Sequence, residues 1–599
     1  MTTMNAGLTA SGRRLRSPRI PLRGSVSGVQ YAGWRPSSTA MDHLGNLVFP
    51  DQRIGVDEGI SLSADVYTPK APGRYPAVLS FTAYNTERLT AGIPSGSNEI
   101  GSPSVFTDRG YGRVIISRRG MGRSDGDTGM FLSDRDVDDY EKAIAWAAIQ
   151  PWCNGDVVLF GTSYFGMTQL QVALRNPPAL KAFFANEICT DYFRHLVQFG
   201  GVPALHFLNI WMGSNFTQEQ FDSRMGSDQR ALISQLLNGP LRPMVERMLP
   251  RRVDGMFEKF MSATPIEDVR KIYANWLFDG KSRDTTTIPL GPAGTLEQIK
   301  VPFVTVENLG YFNLHQFGSY ELFEKACTPA DNKWLILAQP TYDLPVFSWQ
   351  GEALAFFDHL LYGTENGYSQ QAAVRYWVEG AERFEEAATF PPARAKTIRL
   401  ELESAGADTA VHRLVPGGAA EGSNSWAAVP IGLPVLGGLE DVANPTLAFE
   451  LLVTEEMLLA GAVTAHLRFS CNEIDSYVVA RLSRVDTAGE RHHLSLGALR
   501  PAGRTVDLGA GSAVEIAVNS GDRRPLVPGR PVDLRFSLTP APTLLLVGDR
   551  LRLDVASRTD LLRKGVGEGF AHFDLPVPPY LSRNTLHFGG GSWIEVDRN

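Results

Sequence analysis

Cysteine is scarce: Cys153, Cys189, Cys327 and Cys471 are all there is in 599 residues, and they are too scattered for a local zinc or iron–sulfur spacing. That excludes a disulfide-stapled mini-fold, leaves buried free thiols as the expectation, and gives no reason to expect a metal or other cofactor. Positive charge is also short. Lys and Arg number 57 against 65 Asp and Glu, a formal net charge of −8, which argues against a general nucleic-acid binder. Nowhere do about 18 apolar residues run uninterrupted, so no membrane span is expected. Repeats of fixed period are absent too. What remains is ordinary globular composition, 43% hydrophobic and 20% charged, in a chain long enough for two or more domains.

Residues 1–45 read as a disordered leader. The first 40 hold Arg13, Arg14, Arg16, Arg19, Arg23 and Arg35, no acid, and many Ser, Gly and Thr. A secretory signal needs an apolar stretch of about 7–15 residues after its basic start, and none follows. Arg13-Arg14 lacks the same stretch as a twin-arginine signal. A cytoplasmic location is the default expectation.

From about residue 50 strands alternate with helices. Leu62–Tyr67 and Pro76–Phe81 are short β-rich segments split by turn residues at 69–73, and Val114–Ser117 is another apolar strand. Ser133, with Asp136 three residues on, starts a helix through Val137, Tyr140, Ile144 and Ala148 that Gln150-Pro151 stops. Val157–Phe160 follows at once. Apolar strands between amphipathic helices predict a largely parallel sheet covered on both faces. Residues 190–290 lose that rhythm for helical blocks, such as the one opened by Thr264, Pro265 and Glu267, and suit a cap over the sheet's carboxyl edge. The sheet resumes at Val301–Val306 and Trp334–Leu337. After Pro391-Pro392 come segments such as Leu447–Val453 and Tyr477–Leu482 between Gly, Pro and Asp turns, most simply a jelly-roll β-sandwich. The expected organisation is an α/β domain over 46–189 and 291–392, a helical cap over 190–290 and a jelly roll over 393–599.

One short motif carries most of the chemistry. Gly161-Thr162-Ser163-Tyr164-Phe165-Gly166 follows the strand ending at Phe160 and precedes a helical run through Leu170, Val172 and Leu174. Strand, tight turn and helix together lift a nucleophile above a sheet, and the helix amino end favours developing negative charge. The common Gly-x-Ser-x-Gly pattern is displaced by one residue, because position 165 is Phe and the glycine is 166. Ser163 is the candidate nucleophile; a purely structural serine is the alternative.

These residues, with Gln150–Gly155 before them, Arg118-Arg119-Gly120-Met121-Gly122-Arg123-Ser124-Asp125-Gly126, Phe356–Gly363, Val374-Arg375-Tyr376 and Pro391-Pro392, resemble the cocaine esterase and X-prolyl dipeptidyl-peptidase (CocE/NonD) family over roughly residues 50–599. The resemblance implies an α/β-hydrolase core with an inserted helical cap and a terminal jelly roll. It implies an oxyanion hole made by a tyrosine hydroxyl and the N–H after the nucleophile. Tyr84, in Phe81-Thr82-Ala83-Tyr84-Asn85, falls at the matching place, and Tyr164 would give the N–H. A packed turn tyrosine is the other reading of Tyr84.

The family's acid and base are replaced. Asn313, in Gly310-Tyr311-Phe312-Asn313, stands where the resemblance places an Asp, and Tyr342, in Ala338-Gln339-Pro340-Thr341-Tyr342, stands where it places the histidine. Asn carries no negative charge, and a tyrosine with pKa near ~10 is almost wholly protonated at neutral pH. Three arrangements stay open. His315 serves as base with Asp343 as its orienter, their loops exchanged; both are ordinary loop residues; or Tyr342 itself donates or accepts the proton. Glu187 and Asp191, flanking Cys189 after Ala182–Ala185, sit where a strand end would face the pocket, and His195 and His206 lie near the start of the cap.

Three functions follow from these alternatives. The first is a serine hydrolase or acyl-transfer enzyme acting through Ser163 on an ester or amide of a small organic substrate. The second is a non-hydrolytic lyase or cyclase using Tyr342, Tyr84 or Ser163. The third is a noncatalytic binding protein on the same scaffold. A homo-oligomer is compatible with the sequence, which specifies no symmetry.

Overall fold

The computed structural model describes residues 45–84, 99–126, 132–203, 291, 293–309, 315, 317–339, 346–406, 409–430, 445–519, 521–558 and 578–599. One sheet contains β1 Leu47–Asp57, β2 Ile60–Thr68, β3 Tyr75–Thr82, β4 Gly112–Ser117, β5 Cys153–Thr162, β6 Leu180–Asn186, β7 Phe303–Asn308, β8 Lys333–Ala338, β9 Val374–Val378 and β10 Arg383–Ala387. Across the sheet they run β1-β2-β4-β3-β5-β6-β7-β8-β9-β10. Neighbours from β4 to β9 are parallel, and β1, β2 and β10 pair antiparallel at the two edges. The helices are α1 Pro103–Thr107, α2 Asp134–Ala148, α3 Tyr164–Ala173, α4 Gly318–Lys325 and α5 Val346–Tyr362.

Strand alternation divides two cores. Ala77, Leu79 and Phe81 of β3, Val157 and Leu159 of β5 and Phe183 and Ala185 of β6 pack with Tyr140 and Ile144 of α2 and Met167 and Leu170 of α3. Their neighbours Val78, Val158, Phe160, Ala182 and Phe184 pack on the other face with Phe356 and Phe357 of α5. Both faces are covered, so the central strands read as unbroken apolar runs.

The arginine-rich segment after β4 is a clasp. The Ser133 side chain accepts the Asp136 N–H and the Asp136 carboxylate accepts the Ser133 N–H, the reciprocal cap expected for α2. Asp136 also receives Arg118 through two bonds of 3.1 Å, with both side chains buried. Arg119 grips Asp139 of the same helix, while Arg123 and Asp125 reach Asp65 of β2 and Arg53 of β1. One short loop thereby ties the strand exit to a helix and to the sheet edge.

Of the helical cap expected over 190–290, residues 204–290 lie outside the described residues. Its described start is a π-helical turn, Phe193–Val197, and a two-residue hairpin, Gln198–Phe199 with Val202–Pro203. The leader expected over 1–45 lies outside them as well, Gly45 excepted.

From Lys396 to Arg598 the chain is a β-module. The strand Met457–Cys471 pairs with Val532–Leu538, Thr543–Leu545, Ser582–Phe588 and Trp593–Arg598. Its register against Trp593–Arg598 shifts across Leu459–Val463, and at Gly461, φ 152°, a side chain would collide with Asp597. Leu400, Leu402, Phe449, Leu467, Phe469, Leu553 and Ile594 fill the module's interior. The two units also share apolar contacts: Phe317, Tyr320, Leu337, Tyr376 and Phe390 pack with Ala460 and Val514, and Val202 packs with Tyr477, Val479 and Leu496.

Candidate active site

The turn between β5 and α3 presents Ser163 at φ 58° and ψ −119°. This conformation is costly for a residue with a side chain and is held from both sides: the Ser163 N–H donates to Asn186 O of β6 at 2.9 Å, and Ser163 O accepts the Met167 N–H at 2.8 Å. A Cβ at position 161 would come within 2.3 Å of Phe165 Cβ, and one at position 166 within 2.8 Å of both Asn186 O and Ile188 Cγ2. Glycine at 166 rather than 165 therefore answers to the close passage of α3 past the end of β6. The Tyr164 N–H belongs to the first turn of α3, whose amide groups point out of the helix's amino end.

Tyr84 stands just past β3. Its N–H donates to Thr82 Oγ1 at 2.7 Å, and its half-buried ring lies edge-on to Tyr164, centroids 6.2 Å apart, and tilted against Phe165 at 5.7 Å. The ring is thereby held beside the nucleophile turn.

His315 comes from the segment after β7, and its Nε2 lies 2.9 Å from Ser163 Oγ. On the other side of the ring, Nδ1 is 4.0 Å from Glu187 Oε2, with both side chains nearly inaccessible. Glu187 directly follows β6 and is anchored by its N–H to Val306 O of β7 at 2.7 Å. Cys189 Sγ accepts the backbone N–H of His315. At Gly318 a Cβ would sit 2.0 Å from Ile188 O, so the His315 segment lies pressed on the exit of β6. Among the described non-glycine residues eight have positive φ, and Ser163, Glu187, His315 and Phe317 are four of them. Strain gathered at one place in this way is typical of functional sites.

Burial sets the electrostatics. It pushes the His315 pKa down to about 3, so the ring is neutral and able to accept a proton. Glu99, from the segment before α1, has a carboxyl raised well above the usual range by burial and by Glu187 nearby. Burial, with Glu307 adding to it, raises the Cys189 thiol and leaves it unreactive.

Asn313, Tyr342, Asp343 and His206 lie outside the described residues. The described carboxylate facing His315 is Glu187, which the sequence placed at a strand end but not beside that histidine. Its signal was its position, immediately after an apolar strand and so at the carboxyl edge where α/β sites form. Asp191 and His195 belong to a buried ion-pair group at the contact with the β-module. Two described groups have the donor set for a metal: His195, Glu321 and Glu515, and Asp486, Glu490 and His492. In the first, Arg194 already supplies a cation to both carboxylates; the second is a turn where His492 bonds Asp486.

Sheet order and a positive-φ serine at the exit of β5 together define an α/β-hydrolase. Residues 58–341 match the X-Pro dipeptidyl-peptidase (S15 family) model, and residues 366–562 match the X-Pro dipeptidyl-peptidase C-terminal non-catalytic domain. The chain belongs to the CocE/NonD family of serine hydrolases, enzymes acting on small organic esters and amides. It is 24% identical over 569 residues to a provisionally named serine esterase of Mycobacterium bovis, covering 84% of this chain and 89% of that one. A CocE/NonD family hydrolase from Staphylococcus aureus superposes with a TM-score of 0.71 at 19% identity, covering 94% of this chain and 99% of that one. An aminopeptidase from a marine sediment thaumarchaeon gives 0.69 at 17%, covering 95% and 99%. No helix among the described residues is long and apolar enough to cross a membrane.

Proposed function

We propose that the protein hydrolyses an ester or amide of a small organic acid with Ser163 as nucleophile, His315 as general base and Glu187 as the carboxylate that orients it. The observation that carries this reading is the 2.9 Å approach of Ser163 Oγ to His315 Nε2. With its ring proton on Nδ1, facing Glu187, His315 leaves Nε2 free to accept from the serine. As Oγ attacks the carbonyl carbon, its proton passes to Nε2, and the carboxylate favours the imidazolium that forms. The Tyr84 hydroxyl and the Tyr164 N–H serve the carbonyl oxygen as it gains charge, a donation worth about 3 kcal/mol where such donors have been deleted. His315 then protonates the leaving group, and water repeats the sequence on the acyl-enzyme. The Glu187 contact of 4.0 Å is longer than a hydrogen bond and closes when charge develops on the ring.

Fluorophosphonate treatment followed by peptide mapping is expected to place the label on Ser163. Ser163→Ala and His315→Ala lower kcat on an activated ester by about 10³ or more, and Glu187→Gln by about 10² or more. Normal turnover by Ser163→Ala or His315→Ala would end this assignment.

A further inference from the structure

The segments that supply Glu187 and His315 continue into a shared knot of buried charge. After Glu187 the chain passes Cys189, Thr190 and Asp191 into the turn Phe193–Val197; after His315, Phe317 opens α4. Glu321 of α4 accepts from Thr190 Oγ1, from Arg194 Nη2 at 3.3 Å and from Lys325 Nζ at 2.7 Å. Arg194 also bonds Asp191 at 2.8 Å and Glu515 at 2.5 Å, and His195 Nε2 lies 3.2 Å from each Glu515 oxygen. Glu515 belongs to the β-module, in the hairpin Val506–Ser512 and Glu515–Val518, whose Ala513 N–H reaches Glu324 of α4 at 2.8 Å. The side chains of Arg194, His195, Glu321 and Glu515 are all at least nine-tenths buried.

We propose that Arg194 and Glu515 are positioning residues for the reaction: through them the β-module clamps the two segments that carry the catalytic acid and base. The inference rests on the reading of Ser163, His315 and Glu187 given above. Glu187, His315 and Phe317 all hold positive φ, and such backbone persists only where its surroundings over-determine it. The knot supplies that constraint, because Arg194 and Thr190 on one segment share Glu321 on the other. Glu515 completes the neutralisation of Arg194 from outside the α/β domain. Burial opposes ionisation of Glu515, but the Coulombic pull and hydrogen bonds of His195 and Arg194 outweigh it and hold the carboxyl at about 2, below the usual carboxylate range. Removing one partner leaves a buried charge uncompensated and lets the segments separate. With His315 Nδ1 already 4.0 Å from Glu187, a further small displacement takes the carboxylate out of reach of the ring.

The test uses the full-length chain and p-nitrophenyl acetate. Glu515→Gln keeps the size and one acceptor oxygen while removing the charge. Its kcat is expected to fall about tenfold or more with KM within about twofold, and fluorophosphonate labelling of Ser163 is expected to slow in proportion. Arg194→Met should match it, and Arg194→Lys, which keeps the charge, should recover part of the rate. Leu553→Ala, in the interior of the β-module, is the control for a general loss of stability. Wild-type kcat in both Glu515→Gln and Arg194→Met overturns the proposal, as does an equal fall of kcat in Leu553→Ala at matched melting temperature. If Glu515→Gln does not fold, the split between Arg194→Lys and Arg194→Met decides the matter, equal kcat in the two counting against the clamp. Turnover retained in Ser163→Ala or His315→Ala removes the triad reading itself; loss of turnover there, with Glu515→Gln unaffected, removes only the clamp.

Discussion

His315, the base proposed above, is kept dry. An exposed imidazole titrates near 6.5, whereas burial pushes this one down to about 3, so it stays neutral through mildly acidic solution. For a neutral ester, kcat/KM is expected to stay level as pH falls from 7 to 5, where an ordinary imidazole would lose about 25-fold. A pH–rate profile on an uncharged substrate checks this, and an acid limb between pH 6 and 7 would show the ring to be hydrated instead. Stability moves with the same group. Between about pH 6.5 and 3 the unfolded chain binds a proton at His315 that the folded chain does not, so stability falls as pH drops through that window. Ser163 was legible from its strand, turn and helix, and His315 as a titratable neighbour of the displaced acid. Glu187 as its partner was not, because the family pattern points to the segments around 313 and 342 instead. That two segments far apart in sequence meet is a fact of sheet order, which local pattern does not carry.

Strand adjacency supports the arrangement proposed above. The resemblance places the acid after β7 and the histidine after β8; in the proposed triad the carboxylate follows β6 and the histidine follows β7. The chain order serine, acid, histidine survives, with each partner moved one strand nearer the nucleophile. Since β5, β6 and β7 are consecutive neighbours about 4.8 Å apart, their exits bring the three side chains together over a short reach. Elements were the most legible level, since period-two and helical patterns marked the central strands and α2, and the Ser133–Asp136 cap was written in sequence. Its second duty was hidden: Asp136 also neutralises buried Arg118. Asp136→Ala is therefore expected to cost about 3–5 kcal/mol. Asp125→Ala, which breaks the solvent-screened pair with Arg53, should cost far less. Denaturant unfolding followed by circular dichroism measures both, and equal costs would show that the cap and clasp do not act together.

The whole molecule is more than two domains in series. The change of pattern after Pro391-Pro392 reveals the β-module, but alternation within single strands cannot say which outer faces meet. Those faces are apolar: Phe317, Tyr320, Leu337, Tyr376 and Phe390 are buried in part by the module, and Arg500 N–H donates to Gly200 O at 2.8 Å across the same boundary. At Gly200 a Cβ would fall 1.8 Å from Ala498 O, so the backbones touch with no side chain between them. Removing residues 393–599 would expose this largely aromatic patch and would strip Glu515 from Arg194. Residues 1–392 produced alone are expected to aggregate and to hydrolyse p-nitrophenyl acetate no faster than Ser163→Ala. Co-expression with residues 393–599 should restore a soluble complex with activity, because the contact is noncovalent and the two faces are complementary to each other. Size-exclusion chromatography with an activity assay on the eluted peak checks both halves. A monodisperse, fully active 1–392 would mean that the shared faces are incidental and that the module's place against the acid- and base-bearing segments has no part in the reaction.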